Sequence, residues 1–75
     1  MNMFKQISDV VNKHIDDSNI RNKSQLLHDF AIGSTQFDKI IIDLKQFDWF
    51  KYKRKEIVAD IIHKSVADTV YHFTK

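Results

Sequence analysis

Apolar residues recur along this chain at steps of three and four, the spacing that lines up one face of an α-helix. Phe4, Ile7, Val11 and Ile15 form one such stripe on a helix of about four turns, with Lys5, Asp9, Lys13 and Asp16 on the remaining surface. Asp16, Asp17, Ser18 and Asn19 then offer side chains that compete for backbone hydrogen bonds, which predicts a loop running to about residue 22. Asn22 can cap a short second helix carrying Leu26, Leu27 and Phe30, and Gly33 follows, free to take a positive φ. Ser34 is a good cap for a third helix bearing Phe37, Ile40, Ile41, Leu44 and Phe47. The stretch DWFKYKRK from Asp48 to Lys55 fits a continued helix, a kink or a short extended strand equally well. Beyond it Val58, Ile62, Val66 and Val70 make one row, widened by Ile57, Ile61 and Phe73. The expected fold is all-α, a small bundle of about four helices over residues 2–15, 23–32, 34–47 and 54–73.

At 75 residues a single domain, 1–75, is expected, near the size at which one core only just suffices. Association with a second copy would suit so small a core. Cysteine is absent, which excludes a disulfide framework and a thiolate metal site. The opening MNMFKQISDVV lacks the continuous apolar core of a signal peptide, and no apolar run is longer than Ile40–Ile42. A membrane span is therefore not expected, and the cytoplasm is the expected compartment.

Charge is distributed unevenly. Residues 1–50 carry six Lys/Arg against seven Asp, whereas residues 51–75 carry six against three acids. The positive surface belongs to the C-terminal third, and Lys51, Lys53, Arg54 and Lys55 concentrate it around Tyr52. Such a run is either the solvated start of a helix or a patch for phosphate.

One stretch carries more than a fold pattern. From Gln25 to Leu44, QLLHDFAIGSTQFDKIIIDL, apolar residues stand at Leu26, Phe30, Ile32, Phe37 and Ile40, with Ala31 to Thr35 as a small-residue turn. Two short helices crossing steeply must bury a few fixed positions around a tight turn, which is the helix-turn-helix arrangement. The segment AIGSTQFDKII resembles the turn and recognition helix of phage-repressor and tetracycline-repressor-type DNA-binding domains. The resemblance implies a domain that reads duplex DNA in the major groove, and the small size and Ile/Lys/Asn/Asp-rich composition suit a regulator of a phage or other mobile element. It further implies that Gln36 and Lys39 face base edges while Ser34 and Thr35 meet phosphates. The cations Lys51, Lys53, Arg54 and Lys55 would then supply the sequence-independent attraction to the backbone. The chain departs from the family pattern at Leu27, where a small residue is usual, and in the acids Asp38, Asp43 and Asp48, which give the third helix a negative character.

Those acids support a rival of another class: a small helical adaptor or inhibitor that grips one host protein through Asp38, Asp43 and Asp48 together with Trp49, Phe50 and Tyr52. The same aromatics equally suit closure of the core. Histidines 14, 28, 63 and 72 include the spacings Asp60-x-x-His63 and Asp68-x-x-x-His72, but each pair offers at most two ligands, so no metal or other cofactor is expected. Nothing resembles a Gly-rich phosphate loop, and with neither a cysteine nor a serine flanked by glycines available as nucleophile, neither an enzyme nor a small-molecule substrate is expected.

Overall fold

The computed structural model describes the backbone of residues 2–73 and the side chains of residues 2–70. The described residues form four α-helices, α1 (Met3–Asp17), α2 (Lys23–Asp29), α3 (Thr35–Leu44) and α4 (Lys55–Phe73), with a 3-10 helix at Asp48–Tyr52 between the last two. The fold is all-α, and no strand occurs among the described residues. No helix is long and apolar enough to cross a membrane.

Capping chemistry sets most boundaries. The Asn2 carboxamide accepts from the Phe4 amide at 2.9 Å, Asn22 from that of Gln25 at 2.8 Å, and the Ser34 hydroxyl from that of Phe37 at 3.2 Å. Each satisfies an amide that the first helical turn leaves without a carbonyl, worth about 1 kcal/mol. At its far end α1 stops because Asn19 takes a left-handed conformation, φ +57, which asparagine tolerates better than other non-glycine residues. Gly33 does the same between α2 and α3, with φ +89, inside a turn closed by the Ser34 amide donating to the Ala31 carbonyl at 2.9 Å.

That turn corrects the expected end of the second helix. Instead of continuing to residue 32, α2 ends at Asp29, because Phe30 leaves helical geometry at φ −110, ψ 19. Ile32 therefore sits at the tip of a turn and is 64% exposed rather than buried in a crossing. Leu27, too, is exposed and meets no crowding. The third helix likewise ends three residues before the expected position, at Leu44, as amides 45 to 47 turn back to carbonyls three residues earlier. Two further stripe members are corrected: Phe4 and Ile57 lie at helix starts with their side chains exposed rather than buried. The Phe73 side chain lies outside the described residues.

A single cluster of buried apolar residues joins every helix: Ile7, Val11 and Ile15 from α1, Leu26 from α2, Phe37, Ile40 and Leu44 from α3, and Val58, Ile62 and Val66 from α4, with Ile20 and Phe30 from the connections. Helices α1 and α4 lie side by side and run in the same direction. Phe4 shares a surface cleft with Ile61, Ser8 with Ser65, and the Thr69 hydroxyl donates to the Asn12 carboxamide at 3.2 Å. The α3 segment runs the other way along α1, since Asp43 meets His14 while Trp49, beyond the end of α3, reaches back to Gln6.

Candidate nucleic-acid interface

The residues singled out by sequence fall into two groups, at the two ends of the α3 segment. At the start of α3, Ser34 spends its hydroxyl as the cap acceptor and is half-buried, whereas Thr35, Asp38 and Lys39 are exposed. Gln36 is half-buried between two shallow clefts, one shared with His28 and Asp29 and the other with His14, Asp17, Ser18 and Lys39. Its neighbours place this end of α3 beside the C-terminal turn of α1. Ile42 lies on the outer face one turn beyond Asp38 and is 62% exposed.

The second group follows α3. Residues 48–55 resolve into a 3-10 helix and a short extended link, with Lys53 at φ −112, ψ 141. Three aromatics in this junction divide their duties. Trp49 stacks on Phe47 with ring centroids 5.6 Å apart and planes within 8°, its indole N–H donates to the Gln6 Oε1 at 2.7 Å, and Phe50 leans on it at 6.1 Å. Trp49 and Phe50 pack partly buried against the core. Tyr52 points away and is 83% exposed. Lys51, Lys53, Arg54 and Lys55 are exposed around it, and none forms an ion pair with a described residue.

The anchor at Gln6 and the cleft at Asp17 are separated by three turns of α1, or about 16 Å at the helical rise. The start of α3 and the basic junction therefore lie apart along the molecule.

Electrostatics on α3 differ from what composition implies. The Asp43 Oδ2 lies 2.5 Å from the His14 Nε2, and the carboxylate is half-buried against α1. Asp48 is exposed at the start of the 3-10 helix, away from the first turns of α3. Asp38 is the more exposed acid of α3 and occupies the first turn, where a carboxylate complements the helix dipole, next to the exposed Lys39. The pairing of Asp43 with α1 carries no sequence signal, because the partners are 29 residues apart.

His28 pairs with its neighbour Asp29 at 3.0 Å on the surface. No cluster of three His, Asp or Glu side chains able to hold a metal occurs among the described residues, and the His72 side chain lies outside them. Comparison with family models, with curated proteins and with solved structures finds no match to this chain.

Proposed function

We propose that the chain is a small DNA-binding regulator of helix-turn-helix type, which sets the exposed face of α3 against the major groove and its basic junction against the flanking backbone. The observation that carries this reading is the His14–Asp43 pair. It holds the Asp43 carboxylate, whose side chain stays 45% exposed, toward α1, while Thr35 and Lys39 on α3 and Lys45 at its end are exposed together with Asp38. Lys39 and Thr35 are the residues best disposed to meet base edges and phosphate. Ser34 and Gln36, one engaged as a cap and the other half-buried, contribute from the rim.

The basic junction adds support. Lys51, Lys53, Arg54 and Lys55 are free of ion pairs with described residues, so no intramolecular contact need be broken to neutralise phosphates.

The test is anisotropy of a labelled random-sequence duplex across a salt series, with parent protein and a Lys53→Ala/Arg54→Ala/Lys55→Ala variant. Micromolar affinity that falls steeply with salt is expected, with loss of most binding in the variant. Absence of binding at low salt overturns the proposal.

A second reading, a partner protein gripped by the turn and α3, draws on a different observation. Ile32 and Ile42 are both more than half exposed and Asp38 lies between them in sequence, a mixture of apolar and acidic groups that suits a basic, apolar groove on another protein.

A further inference from the structure

Tyr52 is the most exposed of the large apolar side chains in the described structure. Its neighbours Trp49 and Phe50, in the same 3-10 helix, are turned onto the core, so the junction is already closed without it. Among the described residues its ring has no stacking partner and its hydroxyl no hydrogen bond. The backbone beneath it is held on both sides. Trp49 is anchored by Gln6, and α4 begins three residues after Tyr52, at Lys55. An aromatic face thus stands in water on an ordered base, with Lys51, Lys53, Arg54 and Lys55 on either side of it in sequence.

We infer that this junction is a binding site for single-stranded nucleic acid, in which an unpaired base stacks on the Tyr52 ring while the four cations meet the phosphates on either side. Stacking needs an open ring face at a fixed position, and every base supplies a complementary face, so the interaction tolerates any sequence. The flanking cations hold the strand by its charge, which makes the attraction salt-dependent. A base inside a duplex has both faces covered by its neighbours and cannot use the ring. The site therefore discriminates for unpaired strands, independently of how α3 meets a duplex.

Two substitutions separate the ring from the charge. Tyr52→Leu keeps apolar bulk and removes the aromatic face, and Tyr52→Phe keeps the face and removes the hydroxyl. Because the side chain is 83% exposed, neither change disturbs folding, which far-ultraviolet circular dichroism checks. Labelled strands of about a dozen thymidine or uridine nucleotides are titrated by anisotropy at low salt, the two arms telling deoxyribose from ribose backbones. The parent and Tyr52→Phe bind at least one of the strands with similar affinity, whereas Tyr52→Leu weakens that binding about tenfold. A Thr35→Ala/Lys39→Ala variant loses duplex affinity under the first proposal and retains strand binding here, so each can fail without the other. Equal binding by Tyr52→Leu and parent, or no binding of either strand, overturns the inference.

Discussion

The His14 Nε2 and the Asp43 Oδ2 lie 2.5 Å apart, tying the C-terminal half of α1 to the last turn of α3. The pair has structural and electrostatic consequences that different substitutions separate. Asp43→Asn retains a polar partner for His14 and removes a negative charge, so duplex affinity is expected to hold or rise. His14→Ala leaves the carboxylate without its partner, which lowers stability by about 0.5–1.5 kcal/mol and weakens duplex binding as the acid turns outward. Parallel thermal melts and anisotropy titrations on both variants check this; weaker duplex binding by Asp43→Asn would count against it.

Asp38 distinguishes a DNA partner from a protein partner. Asp38→Asn removes the exposed acid of the first turn of α3, with a small loss of helix stability of about 0.3–1 kcal/mol from the dipole. Duplex affinity should increase several-fold at low salt and by less at high salt. A protein partner held through this face would instead bind more weakly, so the sign of the change separates the two readings.

Trp49 ties the junction to α1 through its N–H and to Phe47 through its ring. Trp49→Phe keeps most of the stack on Phe47 and loses the bond to Gln6, at about 1 kcal/mol. Trp49→Ala also loses the packing, and should cost roughly 3 kcal/mol, somewhat less than a fully buried site would. Urea denaturation followed by circular dichroism measures both, and equal losses in the two variants would show that the ring contributes nothing.

The two faces of α3 should respond oppositely to the same chemistry. Ile40 is fully buried and Ile42 largely exposed. Ile40→Ala therefore costs about 2–5 kcal/mol and threatens folding, while Ile42→Ala stays within about 0.5 kcal/mol of the parent. A large loss at Ile42 would mean that this face is covered in solution.

Gly33→Ala tests backbone conformation alone, because a Cβ there would meet nothing within 4 Å. The cost is the left-handed φ of +89, roughly 1–2 kcal/mol, and Gly33→Asn should cost less. Melting temperatures in the order glycine, asparagine, alanine are expected.

The all-helical class, the number of helices and the caps Asn22 and Ser34 were legible in the residues themselves. These depend on local effects: the periodicity of apolar side chains, and hydrogen bonds spanning at most one turn. The positive φ of Gly33 belongs with them. What local pattern could not reveal was which apolar residues are surplus. Phe4, Leu27, Ile32 and Ile57 read as core from spacing, yet each lies outside the buried cluster and is exposed. The candidate site divides in the same way. The cation run around Tyr52 is plain in sequence, but the anchoring of Trp49 involves Gln6, 43 residues earlier than the tryptophan. Likewise, composition makes α3 acidic, and only the approach of α1 brings His14 against Asp43. Sequence thus determined the helices and their faces, since backbone hydrogen bonds and side-chain periodicity act over a few residues. Tertiary structure decided which faces remain open and which charges remain free, since burial and pairing depend on segments distant in the chain.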